Sequence, residues 1–528
     1  MRVLPLAASV TGLLLVAGCS NADNAEKVAP PTVQAGGGPS PAAQQGGAYS
    51  KEGWFGGADG LHARLDIRSV ERQPAKSVLR YSVTSMDSST KSVPFEIALV
   101  DPVGRKLYKP TGTTSGSGFA PNATREMAAE YPPLPPTVQK VTLITPGTAG
   151  EFTGIPVTTG TAASPSAAPT SAGPTSAAPT SASPAPSTPP GRPSVGAEQS
   201  VGAEPFGRST PLTPTPSPSA SVPPGGGTNP VNLDDIVEGE TKDVTSSESD
   251  VTVNLRTDVL FDADSPKLSG RAKAVLDEAS QQIKAKAAQS LTFEGYTDSK
   301  GSNSRNLKLS EERAQAVMKE MKSRLGDGFT YTARGRGEAA PVAKEGGPDD
   351  AAARARNRRV QISYQVKQAT APTSQRGSAA APAAFRADDG AKVASRYGRF
   401  GAAKRRIDVK PFYRDGAYIV AVFDIVNEGP GTTPPDAAYS HKDYPGGVFT
   451  SFSLQVPGGK DVYRAVRVGP GTPGGPGQYV DPGRAVFRTA VDQPVRGFAY
   501  IPAPPGNVTS VVFDAGPFGK INKVPVQR

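Results

Sequence analysis

Apolar residues recur along this chain at two spacings, and the changes between them mark its organisation. Leu65 and Ile67, then Leu79, Tyr81 and Val83, then Val93, Phe95, Ile97 and Leu99 alternate with polar neighbours. That period of two belongs to half-buried strands. The turn signal Asp101-Pro102-Val103-Gly104 follows. Short strands at this spacing predict an antiparallel, immunoglobulin-like sandwich over 49–160. From 246 to 367 the pattern is mixed. Val251, Val253 and Leu255 read as a strand, and Ser265-Pro266 reads as the cap and first-turn proline of a helix. Leu268, Ala272, Val275, Leu276, Ala279 and Ile283 stripe that helix. A second strand, Leu291-Thr-Phe-Glu-Gly-Tyr296, leads through a polar loop to a second helix striped by Leu307, Ala314, Val317, Met318, Met321 and Leu325 and stopped by Gly326. Strands at Phe329–Ala333 and Val360–Val366, with a helical turn near 350–357 between them, complete a small two-layer α/β unit. The two methionines read as core packing.

A second strand-rich unit follows over 404–528, predicted as a second sandwich that looks like a distant copy of the first. Leu65-Asp-Ile67 aligns with Ile407-Asp-Val409, Pro102, Gly104 and Tyr108 with Pro457, Gly459 and Tyr463, Val138 and Val141 with Val508 and Val511, and Ile155-Pro-Val157 with Val524-Pro-Val526. The offset drifts, as insertions confined to loops between strands would make it. Chance is the alternative, since the matched residues are few.

Composition explains the gaps. The 528 residues include 58 glycines and 54 prolines, and only 36% are hydrophobic, so much of the chain is linker. Residues 19–48 read as a flexible leader, 161–245 as a disordered Pro/Ala/Ser/Thr-rich linker and 368–403 as a third tether. At about 3.1 Å per residue, residues 161–230 alone reach roughly 200 Å. The net charge of +10 permits anionic partners. No basic run interleaves with stacking aromatics, which argues against nucleic acid.

The single cysteine excludes internal disulfides, and its place is informative. Residues 1–18 read as a signal peptide, because the apolar run after Arg2 is too short for a comfortable membrane span and ends in small residues. Leu15-Val-Ala-Gly-Cys19 resembles a bacterial lipobox, which implies cleavage before a lipidated Cys19. An ordinary signal peptide with an incidental cysteine is the alternative. The two histidines, His62 and His441, stand in different sandwiches without metal-ligand spacing around them. No nucleophile elbow, phosphate loop or Ser/His/Asp set presents itself. These absences favour a binding protein over an enzyme, with no cofactor and no metal.

Four ordered motifs in the α/β unit are specific: Phe293-Glu-Gly-Tyr-Thr-Asp-Ser-Lys-Gly-Ser, Asn306-Leu-Lys-Leu-Ser-Glu-Glu-Arg-Ala, Gly335-Arg-Gly-Glu-Ala-Ala-Pro-Val-Ala and Arg356-Asn-Arg-Arg-Val-Gln-Ile. Together they resemble the OmpA-like, OmpA/MotB C-terminal domain family. The resemblance implies a βα sandwich that binds peptidoglycan noncovalently through the diaminopimelate of its stem peptide. It places the ligand-gripping aspartate on Asp298 and the arginine on Arg313, with Thr297, Asn306 and Arg358 lining the pocket and Asn357 beside it. A diaminopimelate side chain ends in an ammonium and a carboxylate, which suit an acid and an arginine, and N–H groups at the helix start would add to the carboxylate site. Plainer readings stay open: Asp298 as a turn residue or cap, Arg313 as partner of a neighbouring glutamate, Arg358 as a surface charge. The family often has histidine where Tyr296 stands. The expected whole is a lipid-anchored envelope protein on the outer face of the cytoplasmic membrane, or on the outer membrane of a host that has one. It would tether membrane to wall and offer its sandwiches to protein partners. The alternative is an adhesion or assembly protein that works through those sandwiches, with wall binding only for positioning.

Overall fold

The computed structural model describes residues 49–56, 60–112, 118–159, 230–347, 350–367, 380–431, 433, 437–471, 476–483 and 490–528. Cys19, the signal segment, the leader and the linkers over 161–229 and 368–379 lie outside the described residues. Among those described, no helix is long and apolar enough to cross a membrane.

The first unit comprises β1 (Tyr49–Phe55), β2 (Leu61–Arg72), β3 (Ser77–Ser85), β4 (Ala98–Asp101), β5 (Lys106–Tyr108), β6 (Thr124–Tyr131), β7 (Lys140–Ile144) and β8 (Glu151–Thr159). One antiparallel sheet runs β1-β2-β3-β6 and the other β5-β4-β7-β8, and β8 returns to β2 in parallel. Leu65, Leu79, Tyr81 and Phe152 bury the apolar faces between them. Val93, Phe95 and Ile97, expected as a strand, are buried but sit outside any ladder. Their alternation reports burial of one side of an extended chain, which needs no strand neighbour.

The central unit runs β9 (Val231–Glu238), β10 (Lys242–Ser246), β11 (Asp250–Arg256), α1 (Thr257–Leu260), α2 (Ala272–Lys286), β12 (Ala287–Tyr296), α3 (Asn303–Leu325), β13 (Thr330–Gly335), α4 (Asp350–Asn357) and β14 (Arg359–Val366). Its sheet order is β9-β10-β11-β14-β12-β13, with only β12 and β13 parallel. Helices α2 and α3 contribute Val275, Leu276, Ile283, Ala314, Val317 and Met321 to the core over this sheet. The first of them starts later than Ser265-Pro266 suggests. Leu268 instead bridges to Phe261, and Ser269 bonds back to Val259 and Leu260, so tertiary bonds hold 262–271 as a loop.

The third unit comprises β15 (Ala394–Phe400), β16 (Ala403–Val409), β17 (Phe412–Asp415), β18 (Tyr418–Asn427), β19 (Ser453–Gln455), β20 (Val462–Arg464), β21 (Arg467–Val468), β22 (Gln478–Tyr479), β23 (Pro494–Pro502), β24 (Ser510–Asp514) and β25 (Lys520–Gln527). Its pairings repeat those of the first unit: β15-β16-β18-β23 in one sheet, β20-β19-β24-β25 in the other, and a parallel closure of β25 on β17. The registers repeat too. Leu65 faces Val83 and Ile407 faces Ile425, Tyr108 faces Leu99 and Tyr463 faces Leu454, and Val141 faces Ile155 and Val511 faces Val524. The equivalences that fall within strands thus occupy equivalent ladder positions, while Pro102, Gly104, Val138 and their counterparts lie outside the strands.

Two boundaries need correction. Residues 231–245, expected as linker, form β9 and most of β10, and part of 368–403 forms β15 and a packed approach to it. Nor are the units held apart. Val100, Leu107 and Ile144 of the first sandwich share one buried cluster with Leu233 of β9 and Tyr418, Val420, Phe498 and Tyr500 of the third unit. Strand β9 pairs with β5, β10, β20 and β21. Its acids meet arginines of all three units: Asp235 with Arg105 at 2.6 Å, Asp234 with Arg467 at 3.0 Å, and Glu238 with Arg356 at 2.9 Å and Arg464 at 2.7 Å. So polar a strand reads as linker because its charges are neutralised only by distant segments.

Candidate functional site

The site is built where β12 hands over to α3. Gly295, the second-last residue of β12, faces the helix so closely that a Cβ there would lie 1.9 Å from the Ser310 carbonyl oxygen. Gly335 of β13 is similar, with the Leu307 oxygen 2.6 Å from an added Cβ. The motif glycines therefore set α3 directly against the sheet. After Gly301, at φ +100°, Ser302 caps the helix by accepting from the Arg305 N–H. One turn beyond Ser310, Arg313 is carried inward and is only 5% exposed.

A cleft of about 530 Å³ opens between this corner and the segment 257–265, and Thr297, Asp298, Asn306, Arg313 and Arg358 all line it. Five of the six expected binding residues thus meet in one place. The two arginines differ in state. Arg358 grips Asp258 with two bonds, at 2.9 and 2.5 Å, and donates to Asp298 Oδ2 at 2.7 Å. These bonds, with the Asp258 ones foremost, outweigh desolvation and hold its pKa above the ordinary value. Arg313 donates its Nε–H to the Ser265 carbonyl at 3.1 Å and lies over the Phe261 ring at 5.3 Å. Among the described residues no carboxylate lies within ion-pair distance of it. Burial, partly offset by Asp264 and Asp258, lowers its pKa, so a buried cation faces the cleft without a counter-ion among the described residues. The Thr297 hydroxyl is buried and lacks a hydrogen-bond partner among the described residues. Asp298 Oδ1 accepts the Lys300 N–H at 3.2 Å. The Asn306 amide reaches the Asp298 carbonyl at 3.5 Å and Glu338 at 3.3 Å.

Asn357 does not line the cleft. Its carbonyl accepts from the Val342 and Ala343 N–H groups at 2.9 and 3.0 Å, and its amide donates to the Ala343 carbonyl and Glu345 at 2.8 and 2.7 Å. Glu345 in turn takes the Ser299 hydroxyl at 2.6 Å, so Asn357 braces the loop beside Asp298. Tyr296 also faces away, under the Arg359 guanidinium 3.7 Å from its ring centre. Successive residues of a strand point to opposite faces, which separates Tyr296 from Thr297 and Arg359 from Arg358. Sequence reasoning missed Asp258, Phe261 and Asp264, which complete the lining. Asp264 belongs to an acidic Asp-x-Asp of a kind common in turns, and Asp258 and Phe261 carry no distinguishing local signal. Neither histidine takes part: His62 stacks on Trp54 and meets Glu52 at 2.7 Å, while burial, with help from Arg464, lowers the His441 pKa to about 4.

The central unit is thus a two-layer βα domain whose cleft carries a buried arginine, with no ion-pair partner among the described residues, alongside carboxylates. Residues 260–358 match the OmpA family, and the central domain is an OmpA-like domain. Outer membrane protein A of Bordetella avium is 36% identical over 110 residues, 21% of this chain and 55% of that protein. Peptidoglycan-associated lipoprotein of Rhizobium meliloti is 33% identical over 97 residues, 18% of this chain and 55% of that protein. The chain spans about half the length of these curated relatives. Among solved structures, the cell wall anchor of the T6SS from Pseudomonas aeruginosa aligns with a TM-score of 0.22 and 26% identity, over 24% of this chain and 90% of that one.

Proposed function

We propose that this is a cell-envelope protein whose central domain binds peptidoglycan noncovalently, taking the zwitterionic end of a diaminopimelate side chain in the cleft. The observation that carries the reading is Arg313: buried, without an ion-pair partner, and opening on the cleft that also holds the Asp298 carboxylate and the unpartnered Thr297 hydroxyl. A ligand carboxylate supplies the missing counter-ion, bidentately if its plane matches the guanidinium, and a ligand ammonium donates to Asp298. The names of the relatives, among them a peptidoglycan-associated lipoprotein, agree with this assignment. Two charge-assisted contacts at about 1.5–3 kcal/mol each amount to roughly millimolar binding. Retention then depends on a repeating wall ligand and a second attachment. Lipidated Cys19 is proposed as that attachment, at the membrane face from which the chain reaches the wall, and no catalytic step is assigned. The flanking units are proposed to be immunoglobulin-like, since their A–B–E and C–F–G type pairings, with the last strand closing in parallel on an early one (β8 on β2, β25 on β17), follow that scheme; protein partners for them are part of the proposal.

The test is co-sedimentation of the full chain with purified sacculi, comparing wild type with Asp298→Ala and Arg313→Ala. Both variants are expected to stay in the supernatant under conditions that pellet wild type. If both pellet equally well, the cleft is not the wall site.

A further inference from the structure

The opposite face of the central sheet carries a second recess. Where β10, β11 and β14 meet residues 443–444 and β22 of the third unit, a trough of about 430 Å³ is lined by Asn254, Arg356, Arg359, Gln361, Asp443 and Tyr479, among others. Four lining residues keep a buried polar atom without a hydrogen-bond partner: Asn254 Oδ1 and Asp443 Oδ1, which accept, and Arg356 Nε and Arg359 Nε, which donate. Arg359 is 3% exposed, bonds only backbone carbonyls, of Asn357 at 3.4 Å and Ala340 at 3.1 Å, and has no carboxylate within ion-pair distance among the described residues. Unmet buried polar atoms are costly, and four around one opening point to a ligand rather than to packing.

The kind of ligand follows from their balance. Two unmet acceptors and two unmet donors in one recess suit groups that both donate and accept, which is what a hydroxyl does. A cation is poorly served, because Asp234, Asp243 and Asp443 already pair with Arg467, Arg256 and Arg356. A phosphate is poorly served by the same carboxylates. The ring of Tyr479 also lines the trough and offers apolar surface to C–H faces, and the volume falls within the roughly 300–1,000 Å³ usual for small-ligand sites. We infer that this trough binds a saccharide, its hydroxyls meeting the unmatched atoms of Asn254 and Arg359 and of the Asp443–Arg356 pair. The site requires the third unit, which supplies Asp443 and Tyr479, and it shares no lining residue with the cleft of Asp298 and Arg313.

The test is saturation-transfer NMR of the full chain with tetra-N-acetylchitotetraose. Transfer to the sugar is expected in wild type and in Arg313→Ala. Asn254→Ala and Gln361→Ala, both half-buried positions on the polar face, are expected to bind about three- to tenfold more weakly, with melting temperatures compared as a check of folding. Absence of transfer at millimolar sugar, or equal affinity in the folded variants, overturns the inference and leaves a recess filled by water alone. Asn254→Ala is taken through the sacculus co-sedimentation as well: sacculus binding lost only in Asp298→Ala and Arg313→Ala, and sugar transfer lost only in Asn254→Ala and Gln361→Ala, is the pattern expected, so the two readings fail separately.

Discussion

Arg313 and Arg358 line the same cleft, yet one is spent and the other is free. Arg358 is held by two carboxylates, whereas Arg313 has only a carbonyl and a ring. A ligand carboxylate therefore goes to Arg313. Arg313→Lys keeps the charge but loses the planar fork; sacculus affinity is expected to fall by about 1.5–3 kcal/mol, tenfold or more, read from the fraction pelleted. A different charge governs stability. Glu151 is fully buried between the sandwiches, 2.7 Å from Arg496 and 2.5 Å from the Tyr413 hydroxyl. Burial alone would raise its pKa, but Arg496 and Lys51 outweigh burial and lower it to about 2. The folded value thus lies below the unfolded one of 4.5. Its contribution is present above pH 4.5 and is lost as pH falls from there toward 2. Glu151→Gln is expected to cost about 3–5 kcal/mol near neutral pH and to flatten denaturant stability across that acid window. Asp298 and Arg313 were legible from the order of residues. The inward turn of Asn357 was not, because an asparagine beside an arginine looks the same whether it faces a ligand or a backbone.

At the scale of elements, α3 and β12 form the working unit. The helix carries Asn306, Ser310 and Arg313 on its buried side, and the Ser310 hydroxyl accepts the Gly337 N–H at 2.9 Å. Gly295 permits this contact. Gly295→Ala would drive a methyl into the Ser310 backbone, and overpacking of that kind costs about 1–3 kcal/mol. The helix would move off the sheet and take Arg313 with it, so a loss of sacculus binding comparable to Arg313→Ala is expected in addition to a lower melting temperature. The helix itself was readable from its apolar stripe and its Gly326 stop. The start of α2 was not, because the bridge between Phe261 and Leu268 overrides the local Ser-Pro signal.

For the whole molecule the decisive strand is β9. Leu233 is fully buried in the cluster shared by the two sandwiches, while Asp234, Asp235 and Glu238 tie in arginines from three units. Leu233→Ala is expected to cost about 2–5 kcal/mol. Leu233→Asp, which places a charge in that cluster, is expected to split the calorimetric unfolding of the full chain into separate transitions where wild type shows one. Two or more separate transitions in wild type would contradict the shared core.

What the sequence determined by itself is what local spacing encodes. Alternation set the strands of the first sandwich, the repeated ladder positions followed from matched residues whose offset drifts with loop insertions, and the glycines and charges of the central motifs outlined the cleft. What only the tertiary structure decided involves residues that meet across the chain. Asp234 finds Arg467 and Glu151 finds Arg496 over separations of more than two hundred residues, and no local pattern distinguishes such a carboxylate from a solvated one. For the same reason a charged segment that reads as linker becomes the strand joining three units, and two faces of one sheet become two different recesses.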